Sequence, residues 1–301
     1  MKEKISILKE KLAGGVSPAM ATPLHPDSYR VNSDVIADLV EFLIDKGVKG
    51  LFAGGTTGEG IVLDCEERKK LHEVTISAVN GRVPVLVHVG AMRTDTAVDL
   101  ARHAATAGAD AIVAVTPYFY GMHDAGLAAY YEAIAAAVPD VPLFAYDIPQ
   151  LAMNGISPKL ASRLTETVPS FAGCKSSDPD IQAMRRLLDA LPEDRIFLAG
   201  NETAALGTLA LGADGLISGL STAVPEPFVA LTHSFAVGDM AKARDMQRLI
   251  NQLLPLIPAG ERLGAIKSVL NARGIAVGKT GPTLPYPNRE IWPAMQAMME
   301  E

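Results

Sequence analysis

The amino-acid sequence predicts an α/β protein, a single (β/α)8 TIM barrel with a C-terminal helical extension. Short β-branched runs alternate with longer Ala- and Leu-rich amphipathic stretches, which is the pattern of repeated βα units and a parallel sheet. The 301 residues fit one barrel of about 250 residues plus an appended tail. We therefore expect a barrel over residues 1–237 and a helical region over residues 238–301 that packs on it.

Eight runs of the chain are candidate strands, the number that closes such a barrel. They span residues 15–21, 50–53, 84–89, 111–115, 142–146, 170–174, 196–199 and 215–218. The rival doubly wound dinucleotide fold is disfavoured, because the first run leads into SPAMATPL and not into a G-x-G-x-x-G turn. Catalytic groups of these barrels lie at the C-terminal ends of the strands, so we look for them there.

Helix boundaries are indicated by capping residues and glycines. The predicted helix starts lie at Ser33, Thr94 and Ser157, and two predicted helix ends lie at Gly47 and Gly108. After the eighth βα unit, three further stretches have helical character, and they lie near residues 239–256, 260–273 and 288–300. These stretches form the predicted C-terminal extension.

Composition and charge exclude several functional classes. The net charge of -7, with lysines and arginines dispersed among acids, offers no basic surface for a nucleic acid. No uninterrupted apolar run reaches the roughly 18 residues of a membrane helix, so we expect a cytoplasmic protein without a membrane partner. Cys65 and Cys174 are far apart and have no companion at metal-ligand spacing, so neither a disulfide nor a metal site is expected.

Two residues at adjacent predicted strand ends are candidates for catalysis. Lys175 directly follows the apolar run FAGC, and a lysine desolvated in a barrel mouth has a lowered pKa and attacks carbonyls as the free amine. The alternative is a strand-end lysine that reaches out to water. Tyr146 closes the preceding strand, where its phenol is suited to moving protons, although a core tyrosine is the alternative.

Polar groups follow two other predicted strands. The loop over residues 54–60 is rich in glycine and carries Thr56 and Thr57, whose hydroxyls and neighbouring backbone N–H groups are suited to binding a carboxylate. A tight turn explains the same composition equally well. Asn201 and Glu202 follow the seventh strand and suit a polyhydroxylated substrate, but helix capping by Asn201 is an equally good explanation.

Five motifs occur in the order and spacing of one known family. They are GTTGE at 55–59, TPYFY at 116–120, YDIP at 146–149, GCKSSDPD at 173–180 and GADGLIS at 212–218. Together they resemble the dihydrodipicolinate synthase/N-acetylneuraminate lyase family of class I pyruvate-dependent aldolases, over essentially the whole chain. The resemblance implies a (β/α)8 barrel with a C-terminal helical region, a homotetramer or homodimer, and no metal or organic cofactor.

The resemblance also implies roles for individual residues. Lys175 matches the Schiff-base lysine, Tyr146 the catalytic tyrosine, and Thr56 with Thr57 the pair that holds the carboxylate of pyruvate. Ile217 matches a backbone position that contacts pyruvate. The remaining candidate substrate contacts are Gly55, Tyr120, Leu151, Asn201 and Glu202.

Departures from the family pattern bear on the substrate. Leu151 stands where the synthase branch has an arginine for a substrate carboxylate, and Phe119 stands where that branch has a tyrosine donated by a neighbouring subunit. Proton delivery is therefore expected through Tyr120, water or substrate hydroxyls. The HVG at residues 88–90 resembles the lyase branch, with its histidine interpreted as a core residue, and Asp147 replaces the customary asparagine.

The predicted function is reversible cleavage of a 2-keto-3-deoxy sugar acid or a sialic-acid-like substrate to pyruvate and an aldehyde, through an imine at Lys175. The alternatives are a 4-hydroxy-tetrahydrodipicolinate synthase that condenses pyruvate with aspartate semialdehyde, and a related dehydratase. From a different class, an inert barrel that binds a 2-oxo acid as a sensor is also considered. Retention of Lys175, Tyr146 and both threonines argues against the sensor, because a sensor needs no nucleophile.

Overall fold

A computed structural model describes residues 1–300, and the eight predicted strands are confirmed. Their bounds are β1 Val16–Pro18, β2 Leu51–Ala53, β3 Val85–His88, β4 Ala111–Val115, β5 Leu143–Asp147, β6 Phe171–Ser176, β7 Ile196–Ala199 and β8 Gly215–Ser218. All pairings are parallel, in the order β1-β8-β7-β6-β5-β4-β3-β2. A parallel bridge between Ala19 and Phe52 links β1 to β2. The predicted TIM barrel is therefore confirmed.

Helices alternate with the strands and continue beyond β8. Their bounds are α1 Lys2–Leu12, α2 Ile36–Asp45, α3 Cys65–Val79, α4 Thr94–Ala107, α5 Asp124–Ala137, α6 Pro149–Ala152, α7 Pro158–Thr167, α8 Ile181–Asp189, α9 Ala205–Ala210, α10 Glu226–Ala236, α11 Met240–Leu253, α12 Arg262–Ala272 and α13 Trp292–Glu300. No helix within residues 1–300 combines the length and the apolar character needed to span a membrane.

Helix α1 closes the N-terminal end of the barrel. The sequence analysis did not predict this helix. Ile5, Leu8 and Leu12 repeat at helical spacing and are buried in the same apolar cluster as Phe144 of β5. With this end filled by side chains, the open end is the one formed by the C-terminal ends of the strands. A substrate must therefore enter and leave at that end.

The predicted helix caps agree only in part with the structure. Ser157 accepts a hydrogen bond from the Leu160 amide at 3.0 Å and caps α7 as predicted. The Ser33 prediction is wrong, because Asn32 accepts from the Asp34 amide instead. The Thr94 prediction is also wrong, since Thr94 is the first helical residue of α4 and no side chain caps that helix. Two glycines with positive φ, Gly47 (83°) and Gly108 (91°), follow α2 and α4 as predicted.

The C-terminal region contains α11, α12 and α13, which match the three predicted helical stretches within a few residues. The division at residue 237 remains a prediction, and Glu301 lies outside the described residues. The segment between α11 and α12 departs from the expectation that the C-terminal region only packs on the barrel. It reaches over the open end of the barrel, so the extension takes part in the wall of the pocket described next.

Candidate active site

A pocket of about 530 Å³ opens at the C-terminal ends of the strands. Its floor is formed by side chains from β2, β5, β6 and β8, and one wall is formed by residues 257–260 between α11 and α12. Of the predicted site residues, it gathers Thr56, Thr57, Tyr146, Leu151, Lys175, Asn201, Glu202 and Ile217. Gly55 and Tyr120 do not line it.

A one-residue irregularity in β6 directs Lys175 into the barrel. Leu143 pairs with Phe171, but the next residue of β5, Phe144, pairs with Gly173, so Ala172 is an extra residue in β6. Gly173 has a φ of 141°, and a Cβ there would lie 1.9 Å from the Ile196 carbonyl oxygen.

The irregularity changes which face of β6 each side chain occupies. Ala172 belongs to the apolar cluster inside the barrel, and Cys174 belongs to the cluster outside it. Strict alternation from Ala172 would have turned Lys175 outward. After the extra residue, Lys175 instead lies inside, in register with Tyr146 of β5.

Lys175, Tyr146 and Thr56 form a contiguous polar set at the pocket floor. The Lys175 Nζ lies 3.5 Å from the centroid of the Tyr146 ring and donates to Ser177 Oγ at 2.9 Å. The Tyr146 hydroxyl and Thr56 Oγ1 are 3.1 Å apart. Phe52 packs edge-on against Tyr146 and keeps the set dry on one side. An amine and a phenol therefore lie together in a largely water-excluded site.

The pKa values of Lys175 and Tyr146 are both lowered, but by different causes. Burial penalises the ammonium and lowers the pKa of Lys175, although the neighbouring Tyr146 opposes this shift. Burial disfavours the phenolate of Tyr146. The positive charge of Lys175 and the hydrogen bonds from Lys175, Thr56 and Ser177 outweigh that effect and lower the pKa of Tyr146. These shifts favour the free amine of Lys175, which a nucleophile requires, and easier ionisation of Tyr146, which suits an acid–base group.

The glycine-rich loop is both a tight turn and a wall of the pocket. Gly55 packs on the Phe52 ring, where a Cβ would lie 2.4 Å from Phe52 Cε1. Glu59 does not face the substrate, since its carboxylate pairs with Lys267 of α12 at 2.6 Å and both side chains are fully buried. The loop therefore presents Thr56 and Thr57 to the pocket while its far end is fixed in the protein.

Glu202 and Asn201 have internal partners at the rim. Glu202 Oε1 accepts from Ser218 Oγ and from the Leu220 amide, both at 2.8 Å, and Oε2 lies 2.5 Å from Arg262 Nη2. The Asn201 side chain makes no capping hydrogen bond to the backbone. Its Oδ1 accepts instead from the Thr203 hydroxyl at 2.8 Å.

The aromatic residues of the β4–α5 loop differ from the expectation. Phe119 and Tyr120 stack edge to face with their ring centroids 5.0 Å apart, and they are 73% and 64% exposed. Neither reaches the Tyr146 hydroxyl. Tyr118 instead lines a smaller cavity of about 170 Å³ that Thr56 and Tyr146 also line. Of the aromatic residues in this loop, Tyr118 is thus the one that shares a cavity with Thr56 and Tyr146, and the sequence analysis did not single it out.

His88 is buried among the core residues, as interpreted from the sequence. Burial, reinforced by the charge of Arg68, lowers its pKa well below the usual value, which makes the imidazole neutral. Asp147 is also structural, since it accepts from the Ile156 amide at 2.9 Å and from Ser176 Oγ at 2.7 Å. These bonds fix the segment that carries Leu151 at the rim of the pocket.

Ser177, Gln150 and Arg262 are among the pocket residues that the sequence analysis did not predict. Ser177 lies in the GCKSSDPD motif, where its spacing of two from Lys175 could have identified it. Gln150 donates to the Ser177 carbonyl at 2.8 Å. Arg262 comes from the C-terminal extension and lines the same pocket. No local pattern links Arg262 to a strand end, so no sequence signal could have placed it there.

Within residues 1–300, no group of three or more His, Cys, Asp and Glu side chains is arranged to hold a metal ion.

Comparison with known proteins places this architecture among characterised enzymes. A family model described as the dihydrodipicolinate synthetase family matches residues 12–299. The 4-hydroxy-tetrahydrodipicolinate synthase of Salinibacter ruber is 36% identical over 250 residues, covering 83% of this chain and 81% of the relative. The sialic acid aldolase of Ruminococcus gnavus superposes with a TM-score of 0.91 at 28% identity, covering 96% of this chain and 98% of that one.

A further similar structure comes from Escherichia coli K12. It is a prophage protein of the dihydrodipicolinic acid synthase family in complex with pyruvate. The TM-score is 0.88 at 28% identity, and the match covers 95% of this chain and 98% of that one.

Proposed function

The chain belongs to the dihydrodipicolinate synthetase family and is a carbon–carbon lyase of the class I aldolase type, and from this premise we propose that it cleaves hydroxylated 2-oxo acids to pyruvate and an aldehyde through an imine on Lys175. The observation that carries the proposal is the Lys175 amine, buried at the pocket floor and 3.5 Å from the centre of the Tyr146 ring. The preferred substrate class is a 2-keto-3-deoxy sugar acid or a sialic-acid-like acid.

Imine formation uses the free amine that burial favours. The neutral Lys175 Nζ attacks C2 of the 2-oxo acid, the carbonyl oxygen takes up a proton, and water leaves as the C=N bond forms. Tyr146 supplies and recovers these protons, because its hydroxyl and the lysine nitrogen lie in one buried set with Thr56. The hydroxyls of Thr56 and Thr57 together with the loop backbone hold the C1 carboxylate.

Cleavage follows from the imine acting as an electron sink. The C4 hydroxyl loses its proton to Tyr146, the C3–C4 bond breaks, and its electron pair passes into the protonated C=N group to give a neutral enamine. The aldehyde then leaves. Protonation of the enamine at C3 and addition of water release pyruvate and restore the amine.

The test is to trap the imine. Incubation with pyruvate and borohydride should inactivate the enzyme irreversibly and leave a reduced pyruvyl adduct on Lys175, located by peptide mass spectrometry. A Lys175→Arg variant serves as the control that should give no adduct. An adduct on another lysine, or none at all, would contradict the mechanism. Pyruvate release from a panel of 2-oxo acids then ranks the substrates.

The second candidate is 4-hydroxy-tetrahydrodipicolinate synthesis. It is favoured by the similarity to the Salinibacter ruber protein, which is a 4-hydroxy-tetrahydrodipicolinate synthase. Leu151 weakens it, because this apolar side chain stands at the position where the synthase branch has its arginine for the carboxylate of aspartate semialdehyde. If aspartate semialdehyde proves the better substrate by tenfold or more in kcat/KM, the synthase reading replaces ours.

Self-association is the second part of the proposal. Several large hydrophobic side chains are exposed in the segments that follow β2, β4 and β5, namely Ile61, Val62, Phe119, Tyr120, Met122, Leu151 and Met153. Exposed apolar clusters of this kind typically mark protein interfaces. We therefore propose a homodimer or homotetramer, tested by sedimentation velocity of the wild type and of a Phe119→Asp variant. A wild-type monomer at micromolar concentration would refute it.

A further inference from the structure

Arg262 presents a fixed positive charge to the pocket. It is the first residue of α12, lies next to the wall segment 257–260, and its side chain is 40% exposed. Its Nη2 donates to Glu202 Oε2 at 2.5 Å. Within residues 1–300, the other donors of the guanidinium have no hydrogen-bond partner. Most of its hydrogen-bonding capacity is therefore free for a ligand.

Glu202 acts as the anchor of this guanidinium. Its carboxylate is only 8% exposed, and Oε1 is already occupied by Ser218 Oγ and the Leu220 amide. In this ion pair, Glu202 is buried in the pocket wall and the guanidinium of Arg262 is exposed to the pocket. Because the Glu202 oxygens already accept these hydrogen bonds, the carboxylate has little acceptor capacity left for substrate hydroxyls. The anchored Arg262 side chain loses little conformational entropy when it binds a ligand.

The position of the guanidinium relative to the floor follows from Gly219. A Cβ at Gly219 would lie 2.6 Å from Thr57 Oγ1 and 3.3 Å from Arg262 Nη2, so the bare glycine leaves space between the two groups. Lys175 and Arg262 are the cationic side chains that line the pocket. When Lys175 is held in the imine at the floor, the free edge of Arg262 is the cationic group of this pocket that remains toward the rim.

We propose that Arg262 binds a second carboxylate on the substrate, remote from the imine, so that the preferred aldehyde fragment is a short hydroxylated semialdehyde acid. This inference rests on the proposed aldolase reaction. With the bottom of the barrel filled by α1, the fragment beyond C3 must extend from Lys175 toward the rim, where Arg262 stands. A guanidinium is the side chain best suited to a planar carboxylate, through two parallel N–H···O contacts.

The experiment uses two aldehydes that differ in one terminal group. Condensation of pyruvate with D-glyceraldehyde and with tartronate semialdehyde compares a CH2OH with a COO⁻ on the same three-carbon skeleton. The wild type should prefer tartronate semialdehyde by roughly tenfold or more in kcat/KM, as a charge-assisted hydrogen bond provides. In Arg262→Gln this ratio should fall toward one, and in Arg262→Lys it should be intermediate. Arg93→Gln is the matched control, since Arg93 lies outside the pocket and pairs with Asp95.

The outcomes separate the two proposals. If borohydride with pyruvate alone gives no adduct on Lys175, the proposed function fails. If the adduct forms but the wild type shows no preference for the anionic aldehyde, only the role of Arg262 is overturned; this arm needs no variant and so does not depend on a variant folding. An equal loss with both aldehydes in Arg262→Gln, accompanied by a higher pyruvate KM, would place the guanidinium at the C1 carboxylate and also overturn the proposal.

Discussion

Replacing Lys267 by methionine should destabilise the protein strongly, because it breaks a buried ion pair. Lys267 Nζ lies 2.6 Å from Glu59 Oε1 with both side chains fully buried, and it also donates to the Lys279 carbonyl at 2.8 Å. Glu59 Oε2 accepts from the Gly281 amide at 2.8 Å. The pair thus ties the glycine-rich loop that carries Thr56 to the C-terminal region.

The magnitude follows from the charge that is left behind. Removing one partner of a buried pair costs about 3–5 kcal/mol, because the remaining charge is uncompensated. An unfolding entropy of about 2.1 cal/mol/K per residue gives a chain of this length about 0.6 kcal/mol/K. We therefore expect Tm to fall by about 5–8 °C in Lys267→Met. The pyruvate KM should also rise, since the loop that holds the carboxylate loses its anchor.

The assay is a double-mutant cycle read by thermal and urea unfolding. Glu59→Gln in the Lys267→Met background removes the stranded charge and should recover part of the loss, with a coupling of at least ~1 kcal/mol. Lys46→Met is the control, because Lys46 pairs with Glu226 in a half-exposed bridge and should cost less than about 1 kcal/mol. A cost below that level in Lys267→Met, or strict additivity in the double variant, would refute the reasoning.

Three further predictions concern activity. Because burial lowers the pKa of Lys175, kcat/KM should fall with falling pH only below the ordinary lysine range. Tyr146→Phe removes a group that raises the pKa of Lys175, so this variant should shift the acidic limb of the profile to lower pH and reduce kcat about 10²–10⁴-fold. The measurement for both is a pH–rate profile of the wild type and the variant. Leu151→Arg should raise kcat/KM for aspartate semialdehyde roughly tenfold by supplying a carboxylate partner at the pocket rim, and an unchanged value in the condensation assay would argue against that role. EDTA should leave turnover intact, whereas a loss that a divalent ion restores would point to a metal-dependent aldolase.

Part of the candidate site could be predicted from the sequence because strand ends carry its residues. Lys175 and Tyr146 each follow a short apolar run, and parallel strands bring such ends to one face of the barrel. The orientation of Lys175 could not be predicted. It depends on the extra residue Ala172 in β6. The hydrophobic pattern of an apolar strand does not reveal such an irregularity.

Misplaced helix caps and the missed α1 have a related cause. The run KEKISILKEKL has charges between its apolar residues and reads as a surface segment, yet Ile5, Leu8 and Leu12 fill the bottom of the barrel. Capping depends on which side chain finds the free amide, and Asn32 does so in place of the neighbouring Ser33. Local composition constrains such details weakly.

By itself, the sequence determined the repeated βα pattern, the eight strands, and the nucleophile candidate at a strand end, because each is encoded in residues that are neighbours along the chain. Only the tertiary structure decided which distant groups complete the pocket. Arg262 contacts Glu202, which lies 60 positions earlier in the sequence, and Lys267 of α12 contacts Glu59 in the loop that follows β2. Such contacts form when the C-terminal region packs back over the strand ends. They follow from the geometry of the closed barrel, which no local pattern contains.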